Sequence, residues 1–228
     1  SAAMVTTAGL MQMWQRFPDR VFDTGIAEQH AVTLAAGMAL AGKRPVVAIY
    51  SAFLQRAFDQ IVDDVALHTL PVTFLVDRAG ITGPDGPSHN GVFDLSYLRM
   101  IPNMVVGAPA DATELCAMIE TAVDHDGPFA IRYPKGGAVS VPALPVEPLE
   151  IGRAELLSDG DEVLMVAVGR MVEIAEKALT EDPRPMCGVP LRLGGDEWET
   201  WLPPKDHPLY VKLVEQPFWL DPSDPHRM

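Results

Sequence analysis

The chain has 228 residues, of which 48% are apolar, and its formal net charge is −14 at pH 7. This length suits one or two domains, and the apolar fraction is high enough to form a core, which excludes a wholly disordered chain. The negative net charge argues against nucleic acid or an anionic membrane as the main partner.

The first strong pattern along the chain predicts a helix over residues 28–40. Glu28 lies in its first turn, and Gly42 follows its end as a stop signal. A glutamate in the first turn is favoured by the helix dipole, so on its own it does not indicate a function. Helical spacing places five apolar side chains on one predicted buried stripe, namely Val32, Leu34, Ala35, Met38 and Ala39.

Strands and helices alternate from there onward. Continuous apolar runs predict strands that are buried on both faces, at residues 45–50, 71–77, 104–108 and 129–133. Helices are predicted between them, at residues 53–67, 94–101 and 111–123. The alternation indicates an α/β fold with a mostly parallel sheet and helices on both faces.

Two features at the ends of these strands indicate a ligand site. Tyr50 and Ser51 end the first strand, at the sheet edge where α/β proteins bind ligands. Residues 78–91 form a long loop rich in Gly and Pro, and loops of that length tend to be functional.

The composition changes after residue 134. Residues 135–150 are rich in Gly, Pro, Val and Ser, and we interpret them as a linker between two domains, 1–134 and 151–228. In the second domain a strand is predicted at residues 162–168 and a helix at residues 171–179. No periodicity continues beyond Pro183, so we predict a truncated or divergent second α/β unit.

The sequence also bears on the location of the protein. No apolar run approaches the length of a membrane-spanning helix, and the first residues show no secretory signal pattern. Cys116 and Cys187 lack the spacing of metal ligands, so we expect reduced thiols. We therefore expect a cytoplasmic protein with no membrane partner and no nucleic-acid partner.

Four motifs then occur in an order and spacing typical of one enzyme family. They are FDTGIAEQHAV at residues 22–32, VVAIYSAFLQRAFDQ at 46–60, DRAGITGPDGPSH at 77–89 and FDLSYLR at 93–99. Together they closely resemble the 1-deoxy-D-xylulose-5-phosphate synthase family of the transketolase superfamily. The resemblance covers about residues 1–180. It implies a thiamine-diphosphate pyrimidine-binding domain over residues 1–134 and the opening of a C-terminal domain.

The resemblance implies catalytic and cofactor-binding roles for several residues. Glu28 matches the glutamate that hydrogen-bonds ring N1′ of thiamine diphosphate, which allows the cofactor's own 4′-amino group to remove the C2 proton. Phe53 matches the aromatic residue that stacks on the pyrimidine ring, although a core aromatic would look the same in sequence. Tyr50, Ser51 and Arg56 are further candidates for cofactor binding, and Arg56 could equally be an exposed helix arginine.

The residues implied for substrate binding lie at strand ends and in the long loop. Arg78 and Arg132 match the pair that grips the phosphate of glyceraldehyde 3-phosphate, because guanidinium groups suit phosphate oxygens. At substrate-facing positions, His89 could exchange protons with a carbonyl group and Asp85 could orient a hydroxyl group. Tyr50, beside the loop, is a further substrate-binding candidate.

The implied reaction condenses pyruvate with glyceraldehyde 3-phosphate and releases CO₂, which supplies precursors of isoprenoids and thiamine. The family's Gly-Asp-Gly motif for Mg²⁺ and diphosphate is not found here, since residues 158–162, SDGDE, lack the leading Gly. We therefore expect a separate diphosphate-binding domain or chain to bind Mg²⁺ and the diphosphate. We also expect a homodimer, and no activity from this chain alone.

Two alternatives stay open at this point. A subunit of a split transketolase or a 2-oxoacid dehydrogenase E1 β-chain would share the fold and Glu28, but a dehydrogenase would lack the phosphate-binding arginines. A non-catalytic module that binds a partner chain through its apolar faces is favoured by residues 187–228, which match nothing recognisable in the family.

Overall fold

The computed structural model describes residues 1–137, 144–160, 163–181 and 186–190. Its first unit contains four strands, β1 (Val46–Tyr50), β2 (Thr73–Asp77), β3 (Val105–Gly107) and β4 (Phe129–Arg132). Within the described residues they form one sheet in the order β1-β2-β4-β3, and every neighbouring pair is parallel. The predicted parallel α/β fold is therefore confirmed.

The helices of this unit precede the first strand or connect the strands. They are α1 (Met11–Arg16), α2 (Glu28–Leu40), α3 (Ser51–Leu54), α4 (Phe58–Gln60), α5 (Asp94–Leu98) and α6 (Ala112–Asp124). The side chain of Asp111 caps α6, because it accepts a hydrogen bond from the backbone N–H of Glu114 at 2.8 Å. Glu114 completes this cap by accepting a bond from the N–H of Ala110 at 2.7 Å.

The residues of α2 that face the core differ from the predicted stripe. Val32, Ala35 and Ala39 are buried as predicted, but Leu34 and Met38 are only half-buried. Ala31 and Ala36 are buried in their place. The buried face is thus centred on small side chains, which allow α2 to approach the neighbouring helical segment closely, while the two longer side chains lie at its border.

The segment after β1 is helical from residue 51 to residue 66, although it is not the regular helix predicted there. It consists of α3, a 3₁₀ turn (Gln55–Ala57), α4 and a π-helical turn (Ile61–Ala66). A backbone bond of 3.0 Å from the N–H of Leu67 to the carbonyl of Val62 spans five residues. The apolar pattern could not reveal this change, since Ala57, Ile61 and Val65 are buried at roughly helical spacing.

Alternate residues of the strands contribute to two separate cores, one on each face of the sheet. On one face, Phe74, Val76 and Ala130 pack with residues of α2, α5 and the segment 51–66. On the other face, Phe129 and Ile131 pack with α6. The sheet is therefore covered by helices on both faces, and its free carboxyl edge lies between these two layers.

A second unit begins after the linker. It contains β5 (Val163–Ala167), α7 (Met171–Glu181) and β6 (Met186–Pro190), and the two strands pair in parallel. The sequence shows no periodicity beyond Pro183 and did not indicate β6, because a strand that contains Gly188 and Pro190 depends on its pairing with β5.

Parts of the predicted organisation lie outside the described residues. The described linker residues, 135–137 and 144–150, contain neither helix nor strand, whereas residues 138–143 and 191–228 are not among those described. The domain boundaries therefore stay a prediction. None of the helices in the described ranges is long and apolar enough to cross a membrane.

Candidate active site

The carboxyl ends of three neighbouring strands gather the predicted site residues at one edge of the sheet. Tyr50 ends β1 opposite Asp77, the last residue of β2. Arg132 ends β4 and is in register with Val76 of β2. Because parallel α/β sheets bind ligands outside this edge, Tyr50, Arg78 and Arg132 lie where a ligand is expected.

Three rings form a cluster at this edge. The rings of Tyr50 and Phe53 are stacked, with centroids 5.7 Å apart and an angle of 16° between their planes. The ring of His89 meets Phe53 edge-on at 5.2 Å and Tyr50 at 6.3 Å. Tyr50 is buried, whereas Phe53 and His89 are half-buried. The cluster therefore borders solvent and offers aromatic surface to a planar ligand.

Glu28, the first residue of α2, is a buried carboxylate whose side chain is only 4% exposed. Arg56 reaches it from solvent, with 3.2 Å between Arg56 Nη1 and Glu28 Oε2. Although these charges are close, Oε2 accepts no hydrogen bond from the described part of the chain. A buried acceptor left without a donor costs about 1–3 kcal/mol, so such a group is a candidate for binding a ligand.

Arg78 is fixed on three sides. Its Nη1 is hydrogen-bonded to Asp77 Oδ2, its guanidinium carbon lies 4.1 Å from the centre of the Tyr50 ring, and its Nε is 3.9 Å from Asp85 Oδ2. Its backbone has φ = +56°, a strained conformation for a non-glycine residue that often marks functional sites. Burial raises the pKa of Asp77 above its ordinary value, and the hydrogen bonds and charge of Arg78 oppose that rise.

The loop at residues 78–91 is closed at its base. Gly80 and Gly91 exchange two backbone hydrogen bonds of 2.7 and 2.8 Å. The side chain of Asn90 accepts bonds from the N–H and the hydroxyl of Thr82 at 3.0 and 3.1 Å. Gly91 also packs on Ser51, because a Cβ at Gly91 would overlap the side chain of Ser51 and would come within 2.6 Å of the Arg78 carbonyl oxygen.

Asp85 and His89, the two site residues predicted in this loop, have different surroundings. Asp85 accepts a hydrogen bond from Lys135, and this bond lowers the pKa of the Asp85 carboxyl. His89 belongs to the ring cluster described above, and its Nδ1 lies 3.1 Å from Ser88 Oγ. Asp85 is therefore held as a carboxylate beside two cations, whereas His89 faces the rings.

Arg132 is paired with Asp94 of α5. The distances are 3.1 Å from Nε to Oδ2 and 3.4 Å from Nη2 to Oδ1, so the guanidinium group is held along one edge. The Asp94 side chain is only 1% exposed, and Oδ1 also accepts a bond of 2.8 Å from the N–H of Leu95.

Three site residues were missed by the sequence reasoning: Asp77, Asp94 and Lys135. Asp77 could have been found, because an acid that ends a buried strand lies at the carboxyl edge of the sheet. Lys135 follows the end of β4 by three residues and gave a similar signal. Asp94 gave none, since its partner Arg132 lies 38 residues along the chain.

The organisation of the sheet and its edge agrees with the comparisons with known proteins. A match to the family described as "Transketolase, pyrimidine binding domain" covers residues 1–138. The chain belongs to this family. The transketolase pyrimidine-binding domain thus includes α1 to α6, the four strands of the first sheet and all the site residues described above.

Individual proteins resemble the chain beyond that domain. The 1-deoxy-D-xylulose-5-phosphate synthase of Dictyoglomus turgidum is 58% identical over 179 residues, which are 78% of this chain and 29% of that protein. The synthase of Carboxydothermus hydrogenoformans is 57% identical over 178 residues, again 78% of this chain and 29% of that protein. The chain therefore spans less than a third of the length of these relatives.

A solved structure of similar fold is titled "Split gene transketolase, inactive beta4 tetramer". It has a TM-score of 0.71 and 31% sequence identity, and the match covers 84% of this chain and 62% of that one. These values support the assignment of the fold and extend the likeness to most of the described residues.

Proposed function

We propose that this chain is the pyrimidine-binding part of a 1-deoxy-D-xylulose-5-phosphate synthase. The reaction joins pyruvate to glyceraldehyde 3-phosphate with loss of CO₂, and its product serves isoprenoid and thiamine synthesis. The observation that carries the proposal is the buried carboxylate of Glu28, whose Oε2 lacks a hydrogen bond within the described residues. The identity of 58% to a relative of that name supports the choice of reaction.

The residues at the sheet edge fit the pyrimidine end of thiamine diphosphate. Glu28 offers a buried acceptor for ring N1′, and the exposed side of the Tyr50–Phe53–His89 cluster offers an aromatic surface. Ser51 contributes a second buried polar atom, because its Oγ has no hydrogen-bond partner among the described residues. When bound, the cofactor supplies a nucleophilic carbon for the keto group of pyruvate.

The chain's own residues then have four tasks. Glu28, which is buried, holds the proton at N1′. Arg78 and Arg132, at the carboxyl ends of the adjacent strands β2 and β4, bind the phosphate of the aldehyde acceptor through guanidinium N–H groups. His89 exchanges a proton with the substrate carbonyl oxygen, and Asp85 accepts a hydrogen bond from a substrate hydroxyl.

Further parts of the enzyme are proposed from the relatives, which are longer than this chain. A diphosphate-binding domain or chain supplies the Mg²⁺ site. The enzyme is a cytoplasmic dimer. The split transketolase whose title names a tetramer is one related protein that assembles with its own copies.

The competing functions have less support. A split transketolase subunit corresponds to a relative of 31% identity, well below that of the synthases. A 2-oxoacid dehydrogenase subunit has no use for two arginines directed at a phosphate. A non-catalytic module would have no need of a buried carboxylate without a hydrogen bond, since that group destabilises the fold.

The deciding experiment measures exchange of the cofactor C2 proton by NMR. The chain is supplied with the diphosphate-binding domain of a related synthase, with Mg²⁺ and thiamine diphosphate. Glu28→Gln should slow exchange by roughly 10²–10⁴-fold, the range for a positioned acid–base group. Glu120→Gln, an exposed glutamate of α6, is the matched control and should leave exchange unchanged. Near-normal exchange in Glu28→Gln would remove the basis of the proposal.

A further inference from the structure

Asp94 has no part in the function proposed above, yet its carboxylate is among the most buried charged groups in the described chain. Its side chain is 1% exposed, and both oxygens are engaged by Arg132. A carboxylate that loses a partner of this kind is left as an uncompensated buried charge. Asp94 and Arg132 therefore depend on each other for a stable arrangement.

The geometry of this pair leaves one side of the guanidinium group available. Asp94 accepts hydrogen bonds from Nε and Nη2, along one edge of the planar group. The remaining N–H groups lie on Nη1 and on the outer side of Nη2, and Nη1 has no partner among the described residues. A planar group held along one edge presents its other donors in a fixed direction.

Asp94 is itself held by the backbone. Asp94 is the first residue of α5, and its Oδ1 accepts a hydrogen bond from the backbone N–H of Leu95. This short helix follows closely the loop base at Gly91, which packs on Ser51. The direction of the Arg132 guanidinium is thus set by a side chain that is anchored at the base of the loop.

We infer that Asp94 is a positioning residue that directs the free side of Arg132 toward an anionic substrate group. The anion is the phosphate of the aldehyde acceptor, and this identity rests on the proposed function. Asp94 does not touch the substrate and acts only through Arg132. Arg78, which directly follows the adjacent strand β2, contributes the second guanidinium group of the same site.

Two physical effects of Asp94 on anion binding have opposite signs, and this makes the inference testable. Removing a negative charge next to Arg132 favours the binding of an anion through space. Releasing the guanidinium from its fixed direction weakens binding, because its orientation must then be ordered when the ligand binds. If Asp94 positions Arg132, the second effect exceeds the first.

The test measures the binding of inorganic phosphate to the chain of residues 1–228 by ³¹P NMR titration at low ionic strength. Asp94→Asn should weaken binding roughly tenfold, the effect of losing one charged hydrogen bond. Asp126→Asn is the matched control, since it makes the same charge change at an exposed residue paired with Arg44 near the opposite end of β4. It should leave phosphate binding unchanged.

A second pair of variants separates positioning from structural support. In an Arg132→Ala background, Asp94→Asn should cause no further loss, because a positioning residue has nothing left to act on. Arg132→Lys keeps the charge but lacks the planar group, so it should also weaken binding several-fold. This variant keeps the test valid if Asp94→Asn fails to fold, which its circular dichroism spectrum would reveal.

The outcomes distinguish this inference from the proposed function. Unchanged or tighter binding in Asp94→Asn, equal binding in Arg132→Lys, or no phosphate binding by the unmodified chain would each overturn the inference. Weaker binding in Asp94→Asn, together with no turnover of pyruvate and glyceraldehyde 3-phosphate in the completed enzyme, would refute only the proposed function. The role of Asp94 at an anion site would then stand.

Discussion

Replacement of Gly91 by alanine tests how tightly the loop base is packed against the sheet edge. The added Cβ would overlap the side chain of Ser51 and lie 2.6 Å from the carbonyl oxygen of Arg78. Neither neighbour is the far end of a flexible side chain, so the backbone itself must move. Overpacking of this kind typically costs 1–3 kcal/mol, and we expect Gly91→Ala to lose about 3 kcal/mol of unfolding free energy.

The matched control is Gly37→Ala. Gly37 lies on the exposed face of α2, and a Cβ there meets nothing within 4 Å. Because alanine favours the helical conformation more than glycine does, the unfolding free energy of this variant should rise by about 0.5–1 kcal/mol. The same chemical change is therefore expected to lower the unfolding free energy at Gly91 and to raise it at Gly37.

Urea unfolding followed by circular dichroism measures both variants against the unmodified chain. Adding Ser51→Gly to Gly91→Ala should recover part of the loss, since the overlap with Ser51 disappears while the contact with the Arg78 carbonyl remains. An unfolding midpoint of Gly91→Ala equal to that of the unmodified chain would refute the packing described at the loop base.

Two further predictions concern titratable groups. Lys135→Met should raise the pKa of Asp85 toward that of an ordinary carboxyl group, because the hydrogen bond from Lys135 is what lowers it, and ¹³C NMR titration of the carboxyl carbon measures the change. Burial raises the pKa values of Tyr97 and Tyr133 above the ordinary value of 10.0 for a tyrosine hydroxyl, so the unfolded state loses these protons first. The unfolding free energy should therefore fall as the pH rises above 10, and denaturant titrations at increasing pH check this.

Much of the fold could be predicted because it depends on local patterns. The helix over residues 28–40 was predicted at both ends, since an acid in its first turn and Gly42 beyond its last residue mark its limits. The buried strands were recognised as short continuous apolar runs. β6 was missed because a strand of Met, Cys, Gly, Val and Pro has no such pattern, and only its pairing with β5 indicates it.

The candidate site was predictable to a smaller extent. The strand pattern placed Arg78 and Arg132 at the sheet edge. It did not indicate that Asp94 pairs with Arg132. Asp94 lies 38 residues before Arg132, and no local rule links an acid at the start of one helix to a strand end that far away. The sequence motifs identified residue types for the chemistry, whereas the pairing of charges depends on the packed structure.

The hydrogen bonds at the base of the loop allow the loop to change in evolution without changing the sheet edge beside it. The bonds between Gly80 and Gly91, and those from Thr82 to Asn90, tie the ends of the loop together whatever lies between them. Residues 83–89 can therefore be exchanged, lengthened or shortened at a loop-closure cost that grows only slowly with length. The loop between these ties can therefore change in evolution while the sheet edge that holds Tyr50 and Arg132 stays the same.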